Sequence, residues 1–431
     1  MTNRSLAEWL KLLESRHPSE IELGLDRVAE VWSRYKSSQS ANGSVGKAKV
    51  ITVAGTNGKG SCVASMQSIL LAHGQSVGSF TSPHFQVYNE RICLDGVPVP
   101  DDMIVSAFES IEQLRELISL TYFEFNTLAA LIIFSGHDLD VVLLEVGLGG
   151  RLDAANIIDC DVAVLTSIDL DHQQWLGNTR AEIANEKLGV ARKNCPLIIG
   201  EQDYPENFEQ FVANTGSNAL WLGRDFNCVV SEHVFSIDVN RSPESSGFIS
   251  LDNLSVSGPL AVNKTLALQA LVSLGLILDL AKCRSALNNV MIMGRQQYIE
   301  YRSVPIILDV AHNPAAAAML AHKLRTPQSK VIAVASVLED KDWSSMVSQL
   351  KPEIDCWHIA ELTGISRAAK GQYLLKLLYN AGAKGSLNKT IEEAFLSAVS
   401  KAGDTGKVVV FGSFHTVAAV LDFISKEVAG E

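Results

Sequence analysis

The sequence predicts an α/β fold made of two domains, each built on a parallel β-sheet. Short apolar, β-branched runs alternate with segments of helical periodicity along most of the 431 residues. The apolar runs lie at residues 50–53, 77–80, 141–146, 162–166 and 196–199, and then at 306–310, 331–335, 356–360 and 408–411. Because parallel strands need long crossovers, which are usually helical, this alternation indicates sheets covered by helices on both faces.

The remaining segments fit this scheme in chain order. Residues 6–13 and 21–32 carry apolar side chains at helical spacing, so the chain opens with two amphipathic helices. The polar segment 37–46 is typical of a flexible loop, and residues 62–72 have a helical pattern.

A different pattern begins near residue 219. Residues 219–257 are β-rich and predict a hairpin-like insertion, after which residues 263–281 return to helix. The helical pattern ends around residues 291–297, so we expect a first domain at residues 1–292 and a second at residues 293–431.

Composition excludes several classes of protein. The chain is 47% hydrophobic and 19% charged, which is ordinary for a globular protein and unlike a disordered chain or a coiled coil. It has 36 basic and 48 acidic residues, a net charge of −12, without a run of five basic residues. Nucleic acid is therefore not an expected partner, because affinity for the phosphate backbone requires clustered cations.

The cysteines and the apolar stretches indicate the compartment. The seven cysteines are scattered singly, without a C-x-x-C pair, and predict free thiols in a reducing environment. The first 18 residues lack the apolar core of a secretory signal, and no apolar stretch reaches the roughly 18 residues that span a bilayer. We expect a cytoplasmic protein without a membrane partner.

The most informative motif is a glycine-rich segment between a predicted strand and a predicted helix. It consists of Ala54, Gly55, Thr56, Asn57, Gly58, Lys59, Gly60 and Ser61. Glycines let backbone N–H groups turn inward around an anion, the helix N-terminus adds partial positive charge, and Lys59 supplies a cation for the outer phosphates. Ser61 can hydrogen-bond a phosphate or reach a metal ion.

The spacing differs from the standard G-x-x-x-x-G-K-[ST] loop. Gly55 and Gly58 are two residues too close, and Gly60 separates Lys59 from Ser61. A strand-to-helix turn that merely uses glycines is the alternative, but it requires neither three glycines nor a lysine. The first domain is therefore predicted to be a P-loop-type parallel-sheet ATPase domain.

Further segments narrow the interpretation. They are TSPHFQVYNERI (81–92), LEVGLGGRLDAAN (144–156), TSIDLDHQQWLG (166–177), EKLGVAR (186–192), DVAHNP (309–314) and GSFHTV (412–417). Together with GTNGKGS (55–61), they resemble the folylpolyglutamate synthase branch of the Mur ligase superfamily, whose members form amide bonds with ATP. The resemblance extends from about residue 6 to the C-terminal helix. It is closest to bacterial members that also have dihydrofolate synthase activity, through ELGLDRV (22–28) and SLTYFEF (119–125).

The resemblance implies a role for each domain. Residues 1–292 would form a Mur-ligase-like domain that binds ATP and a pterin, and residues 293–431 a smaller Rossmann-like glutamate-ligase domain. Members of this family are expected to be monomers.

A metal site is implied at the end of one predicted strand. Glu145 closes the apolar run VVLLE, which places its carboxylate at the carboxyl edge of a parallel sheet, where α/β folds bind ligands. The resemblance implies Ser82, Glu145 and His172 as Mg²⁺ ligands. It also implies that Lys187 carries an N6-carboxyl group and helps to bind a second Mg²⁺, and that Lys59, His172 and Lys187 are catalytic. Without the resemblance, His172 would be a loop or cap residue and Lys187 a surface charge.

The resemblance also implies where ATP and the pterin bind. Asn263, Arg295, Asp309 and His312 would contact ATP, while Asn313 and Pro314 are expected only to cap a helix. The pterin would contact three segments, consisting of Glu22, Leu23, Gly24 and Leu25, of Thr121, Tyr122, Phe123 and Glu124, and of Leu152, Asp153 and Ala154. Phe123 would stack on the pterin and Asp153 would be its polar partner. The alternative is that Tyr122, Phe123 and Phe125 belong to the core.

The implied function is an ATP-dependent ligase. It would join L-glutamate to 7,8-dihydropteroate, giving dihydrofolate, and then add γ-linked glutamates to reduced folates through an acyl phosphate. One alternative is a folylpolyglutamate synthase without dihydrofolate synthase activity. Another is a P-loop switch or ATP-binding interaction module without ligase chemistry. A peptidoglycan ligase of the same superfamily is less expected, because the nucleotide loop begins as early as Gly55.

Overall fold

The computed structural model describes residues 4–17, 21–38, 45–231, 234–242, 245–256, 258, 260–325, 329–365 and 367–430. The chain divides into two compact units, Met1–Val290 and Met291–Glu431. Residues 39–44 of the predicted flexible loop lie outside the described residues. In the described part of the chain, no helix is long and apolar enough to cross a membrane.

The first unit combines a large sheet with a small one. Its helices are α1 (Leu6–Arg16), α2 (Asp26–Ser38), α3 (Lys59–Ala72), α4 (Asp101–Arg115), α5 (Tyr122–Ser135), α6 (Gln173–Leu176), α7 (Arg180–Leu188), α8 (Phe208–Thr215), α9 (Ala261–Ser273) and α10 (Leu280–Asn289). Its strands are β1 (Lys49–Ala54), β2 (Val77–Phe80), β3 (Ile92–Leu94), β4 (Val97–Pro98), β5 (Val141–Glu145), β6 (Val162–Leu165), β7 (Pro196–Ile199), β8 (Asn218–Trp221), β9 (Asn227–Val230), β10 (Val234–Ser242) and β11 (Ser245–Ser255).

The large sheet has eight strands in the order β4-β3-β2-β5-β1-β6-β7-β8. Strand β1 lies between β5 and β6 and is parallel to both, with Val53 paired to Glu145 and Ala54 to Leu165. The carboxyl ends of these three strands therefore meet at one edge of the sheet. Such an edge, where neighbouring strands lead into different crossovers, is where open α/β sheets bind ligands.

Helices cover both faces of this sheet. Ile51 and Val53 of β1 belong to a buried cluster shared with α3 and α9, whereas Val50 and Ala54 belong to a second cluster shared with α1, α2, α4 and α5. Alternate residues of one strand thus enter different cores. This confirms the interpretation of continuous apolar runs as central parallel strands.

Some boundaries and strand directions differ from the sequence predictions. The β2, β3 and β4 strands run antiparallel at one edge, so the sheet is mixed. The predicted helix at residues 263–281 is two helices, because α9 ends at Ser273 and Gly275 takes a φ of +88°. The predicted helix at residues 21–32 begins only at Asp26. Within the insertion, β8 joins the large sheet and β9–β11 form a separate antiparallel sheet.

The second unit is a six-stranded sheet with helices. The helices are α11 (Pro314–Leu324), α12 (Trp343–Leu350), α13 (Gly371–Asn380), α14 (Ile391–Ala402) and α15 (Phe414–Gly430). The strands are β12 (Gln297–Tyr301), β13 (Val304–Leu308), β14 (Val331–Ala335), β15 (Cys356–Ile359), β16 (Gly385–Leu387) and β17 (Lys407–Phe411), in the order β12-β13-β17-β14-β15-β16. All pairs are parallel except β12 with β13. The unpredicted β12 is a half-exposed edge strand.

Candidate functional site

The glycine loop joins β1 to α3 in the geometry of an anion site. Helix α3 begins at Lys59 after Gly58, which has a φ of +89°, and no side chain caps the helix. Its first N–H groups are therefore not used by a capping side chain, and the helix dipole places partial positive charge there. Lys59 Nζ donates to the carbonyl oxygens of Gly55 at 2.9 Å and Thr56 at 3.3 Å, so the ammonium lies over the loop.

Residues that follow β6 hold the loop in place. Thr56 N donates to Ser167 O and Asn57 N to Ser167 Oγ, both at 2.9 Å, and Thr166 Oγ1 donates to Asn57 O at 2.6 Å. In the sequence, this segment is recognisable only as a family motif. Thr166 and Ser167 follow an apolar strand that parallel pairing places beside β1, and this position was the available signal.

Two glycines of the loop are required by close approaches. A Cβ on Gly55 would lie 1.9 Å from Thr166 Oγ1, and a Cβ on Gly58 would lie 2.5 Å from Asn263 Oδ1. Asn263 is buried on α9, so its side chain has little room to move. The structure thereby brings Asn263, an expected ATP contact, against the glycine loop.

Replacing Gly58 with alanine is expected to raise the KM for ATP by at least about tenfold, because misplacing a binding group by about 1 Å is costly. Gly275→Ala is a matched control, since Gly275 has nearly the same φ of +88° but nothing within 4 Å of its Cβ position. In both variants the new alanine must adopt a left-handed backbone conformation, which destabilises the protein by about 1 kcal/mol. Rates at varied ATP concentrations measure the effect on ATP binding, and thermal melts measure the effect on stability. Equal KM values for ATP in the two variants would contradict a role for the close approach between Gly58 and Asn263.

Glu145 lies beside the glycine loop. The residue is 5% exposed, and its Oε2 accepts the backbone N–H of Ser82 at 3.0 Å. A Cβ on Gly60 would lie 3.5 Å from Glu145 Oε2, so the carboxylate lies against the first turn of α3. Glu145 and Ser82, two predicted metal ligands, are thus neighbours at the phosphate loop.

Lys187 is buried in the same region. It lies on α7 with 4% exposure, and a Cβ on Gly150 would lie 3.0 Å from Lys187 Cα. Burial and the positive charge of Lys59 lower the pKa of Lys187 to about 7, although Asp171 and Asp153 oppose this shift. The alternative of a solvated surface lysine, which would hold without the family resemblance, does not fit this burial.

His172 connects this region to α6. It precedes α6 with a positive φ of 51°, and its Nε2 lies 3.8 Å from Asp171 Oδ2. Asp171 in turn lies close enough to Lys187 to raise its pKa. Asp171 is not among the predicted site residues, although it stands directly before the predicted ligand His172.

These residues fit a hard cation of the magnesium type. Mg²⁺ is usually held by one or two carboxylates together with waters and phosphate oxygens. Glu145 provides a buried carboxylate at the loop, and Ser82 is fixed next to it by the hydrogen bond to Glu145. Among the residues that the structure describes, no group of three or more His, Cys, Asp or Glu side chains is arranged for a metal ion. The pair of Glu145 and Ser82 suits a cation that is bound together with a nucleotide, because the phosphates and waters supply its other ligands.

The three expected pterin segments are brought together in the first unit. Gly24 N donates to Leu152 O at 3.2 Å. Arg27 forms ion pairs with Glu22 and with Glu124, the latter at 3.0 Å between Nη2 and Oε1. Sequence reasoning missed Arg27, which lies in the motif ELGLDRV and binds two of the segments to each other.

Three of the expected pterin contacts have clear structural roles. Thr121 and Glu124 form the capping box that begins α5, with Glu124 Oε2 accepting Thr121 N at 2.7 Å. Asp153 is 2% exposed and accepts the N–H groups of Leu148 and Ala155 at 2.8 and 2.9 Å. Burial raises the pKa of Asp153 to about 6.

The aromatic residues at the start of α5 differ in burial. Phe125 is fully buried and belongs to the core, whereas Tyr122 and Phe123 are half-buried. A Cβ on Gly147 would lie 2.5 Å from Phe123 Cζ, so this glycine makes room for the ring. The tip of the Phe123 ring therefore packs against Gly147, while part of the side chain stays open to solvent.

In the second unit, the predicted ATP contacts form one cluster. Asp309 follows β13 and accepts the N–H groups of Ala311 at 2.8 Å and Gln296 at 3.2 Å. Burial raises the pKa of Asp309, although Arg295 opposes this shift. The guanidinium of Arg295 lies 5.2 Å from the ring centroid of Phe414.

The neighbouring residues at the start of α11 behave as predicted. Asn313 Oδ1 accepts the N–H of Ala316 at 2.9 Å and caps the helix, with Pro314 at its first position. This confirms the capping role. His312 lies 6.4 Å from the Phe414 ring, which places it in the Arg295 and Asp309 cluster.

A family model and a similar curated protein indicate the same family for this chain. Residues 294–414 match the Mur ligase, glutamate ligase domain. The chain is 40% identical to the dihydrofolate synthase/folylpolyglutamate synthase of Escherichia coli over 427 residues, covering 99% of this chain and 97% of the relative.

Solved structures with ligands are also similar. The structure of Escherichia coli FolC in complex with DHPP and ADP has a TM-score of 0.90 at 38% identity and covers 99% of both chains. A bifunctional folylpolyglutamate synthase/dihydrofolate synthase with Mn, AMPPNP and L-glutamate bound has a TM-score of 0.86 at 39% identity, covering 98% of both chains.

Proposed function

Since the chain belongs to the dihydrofolate synthase/folylpolyglutamate synthase family of Mur ligases, we propose that it is the bifunctional, ATP-dependent ligase of that family. It joins L-glutamate to 7,8-dihydropteroate, giving dihydrofolate, and adds further γ-linked glutamates to reduced folates. The observation that carries this conclusion is the glycine loop at the start of α3, where no side chain caps the helix. Lys59 lies over this loop and the carboxylate of Glu145 lies beside it.

The chemistry requires activation of a carboxylate. One oxygen of the substrate carboxylate attacks the γ-phosphorus of ATP, the bond from phosphorus to the ADP oxygen breaks, and an acyl phosphate forms. The α-amine of L-glutamate then attacks the acyl carbon, the bond from carbon to the phosphate oxygen breaks, and the amine loses a proton. Phosphate is expelled and the amide remains.

The protein contributes positioning and charge rather than a covalent nucleophile. The N–H groups at the start of α3 and the ammonium of Lys59 hold the β- and γ-phosphates, which neutralises charge as the phosphoryl group is transferred. Asn263 supports the same loop from α9. Arg295, Asp309 and His312 are proposed as further ATP contacts, with Arg295 as the cation of that cluster.

A divalent cation completes the site. Magnesium supplies charge neutralisation between the γ-phosphate and the incoming carboxylate. Ser82, Glu145 and His172 hold one ion, and Lys187, carrying an N6-carboxyl group, holds a second. Support comes from the fixed pair of Glu145 and Ser82 and from the burial of Lys187. The manganese ion in the similar ligand-bound structure agrees with a divalent metal.

Protein equilibrated with ¹³C-bicarbonate is expected to show a carbamate carbon signal by NMR that the Lys187→Met variant lacks. The reason is that a neutral lysine amine adds CO₂, and ordinary surface lysines are protonated at neutral pH. Lys193→Met serves as the control, because Lys193 is exposed close to α7 and should leave the signal unchanged. A signal that persists in Lys187→Met would contradict the modification.

The substrate pterin binds in the first unit. The half-buried ring of Phe123 provides a flat apolar surface, and Asp153 provides a carboxylate held by backbone N–H groups. An ionised carboxylate has about four acceptor positions, so Asp153 keeps capacity for pterin N–H donors. The other contacts come from the segments at Glu22 and Leu152, which a backbone hydrogen bond between Gly24 and Leu152 joins.

A glutamate-incorporation assay tests the function. Radiolabelled L-glutamate is offered with ATP and Mg²⁺ to either dihydropteroate or tetrahydrofolate, and both are expected to become labelled. Labelling of tetrahydrofolate alone would support a folylpolyglutamate synthase without the first activity. Labelling of neither, with ATP still bound, would favour an interaction module.

A further inference from the structure

Arg91 is a buried arginine whose guanidinium has no carboxylate partner among the described residues. The residue is 8% exposed, its Nε donates to His84 Nδ1 at 2.8 Å, and its guanidinium carbon lies 5.9 and 5.6 Å from the ring centroids of Tyr88 and Tyr122. Its two Nη groups donate to none of the residues that the structure describes, and they are not sealed from solvent. Burying a cation without an anion is costly, so we expect a ligand to bring an anionic group to this guanidinium.

The position of Arg91 connects the proposed metal site with the proposed pterin site of the first unit. Its carbonyl oxygen accepts Thr81 N at 2.9 Å, one residue before the proposed metal ligand Ser82. On the other side, Tyr122, whose ring faces the guanidinium, directly precedes Phe123 on α5. A substrate that lies on Phe123 and presents a carboxylate to the glycine loop is therefore expected to pass the Arg91 side chain.

The loop that carries Arg91 is held by another residue. The carboxylate of Glu90 accepts the backbone N–H groups of residues 85–87 at 2.6, 2.9 and 2.9 Å. Within the loop, Arg91 contributes only the hydrogen bond from its Nε to His84. A purely structural role for Arg91 therefore leaves the two Nη groups without a use.

Other cations near the two proposed sites already have partners. Lys59 lies over the glycine loop and is assigned to the phosphates. Arg27 pairs with two carboxylates of the pterin segments, and Arg151 pairs with a carboxylate of α7. The first unit contains 21 basic and 34 acidic side chains, so a substrate carboxylate without a cation of its own is repelled there. Arg91 is the cation with capacity for such a carboxylate.

The two acceptor substrates of the proposed reaction differ by one carboxylate. Dihydropteroate has a single carboxylate, which reacts, whereas tetrahydrofolate has a reacting γ-carboxylate and an α-carboxylate that does not react. We propose that Arg91 binds this α-carboxylate, with its Nη groups donating to the two oxygens in the bidentate manner that suits a guanidinium. The inference rests on the proposed function, and it makes Arg91 a specificity-determining residue for the addition of glutamate to reduced folates.

A matched pair of acceptors tests this role. Tetrahydropteroyl-4-aminobutyrate keeps the reacting carboxylate of tetrahydrofolate but lacks the α-carboxylate. In the unchanged protein, kcat/KM for tetrahydrofolate is expected to be at least about tenfold higher than for this analogue, because only tetrahydrofolate forms the charged pair. In Arg91→Gln, the two values should agree within about twofold, while kcat/KM for dihydropteroate changes by less than about threefold.

Two further variants separate recognition from folding. Arg91→Lys keeps a cation without the bidentate geometry and should give an intermediate ratio of the two kcat/KM values, so the test does not depend on one variant. This ratio, measured on one preparation, is also independent of the fraction of folded protein. Arg224→Gln is the control, because Arg224 also lies over a ring, 5.0 Å from the Trp221 centroid, but follows β8 at the far edge of the large sheet. It should keep the ratio of the unchanged protein.

Each result bears on the assignment of Arg91. Loss of the preference for tetrahydrofolate over the analogue in Arg91→Gln, with dihydropteroate turnover kept, supports it. Equal use of the two acceptors by the unchanged protein, a preference retained in Arg91→Gln, or an equal loss with tetrahydrofolate and dihydropteroate would overturn it. Failure of the unchanged protein to add glutamate to dihydropteroate or to tetrahydrofolate would refute the proposed function instead.

Discussion

Lys59→Ala lowers kcat/KM for ADP formation by about a thousandfold or more in this account. The ammonium donates to the carbonyl oxygens of Gly55 and Thr56 and therefore lies over the loop that is expected to hold the phosphates. Without Lys59, only the N–H groups at the start of α3 face the phosphates, and no ammonium neutralises the negative charge of the transferred phosphoryl group. The measurement is ADP release with dihydropteroate, L-glutamate, ATP and Mg²⁺, under initial-rate conditions.

A control separates chemistry from folding in this experiment. Lys282→Ala removes an exposed lysine from α10 in the same unit and should leave turnover unchanged. Thermal melts of both variants should resemble that of the unchanged protein, because neither lysine belongs to the core. Normal turnover by Lys59→Ala would show that the loop is not the nucleotide site.

Glu145→Gln is the second change with a large consequence. Glutamine keeps an oxygen that can accept the Ser82 N–H, so the local structure should persist while the negative charge is lost. We expect the Mg²⁺ concentration for half-maximal rate to rise about 10- to 100-fold, together with a kcat lower by about a hundredfold. A magnesium titration of the ADP-release rate measures both values, and saturating Mg²⁺ should restore part of the activity.

Another carboxylate at the same edge of the sheet provides the control. Glu201 lies just beyond β7 and accepts the N–H groups of Ile168 and Asp203 at 2.8 and 3.0 Å. Glu201→Gln should leave the magnesium requirement unchanged, because the carboxylate of Glu201 is used by Ile168, Asp203 and Arg180. If Glu145→Gln kept the normal magnesium dependence, the metal site would have to lie elsewhere.

The order of strands and helices in the first unit follows from local patterns in the sequence. Apolar runs such as residues 50–53 and 141–146 are continuous because β1 and β5 are covered on both faces, and such runs are easy to recognise. The short strands β3, β4 and β12 were not predicted. They lie at or near sheet edges, where fewer residues are buried and the pattern is weak.

The candidate site shows the same division between local and distant information. The glycine loop was predictable because strand, glycines, lysine and helix are consecutive. The hydrogen bonds from Thr166 and Ser167 to the loop were not predictable, and neither were the ion pairs of Arg27. In both cases the partners are distant in the sequence. Lys187 was placed by family resemblance alone, since nothing in a helical EKLG segment indicates that its lysine is buried.

The most direct test of the account is an oxygen-transfer experiment. Dihydropteroate with both carboxylate oxygens replaced by ¹⁸O is converted with ATP and L-glutamate, and the released phosphate is analysed by mass spectrometry. An acyl phosphate predicts one ¹⁸O in each phosphate and one retained in each amide, with ADP as the nucleotide product. Unlabelled phosphate, or AMP with pyrophosphate, would contradict activation of the carboxylate at the γ-phosphate.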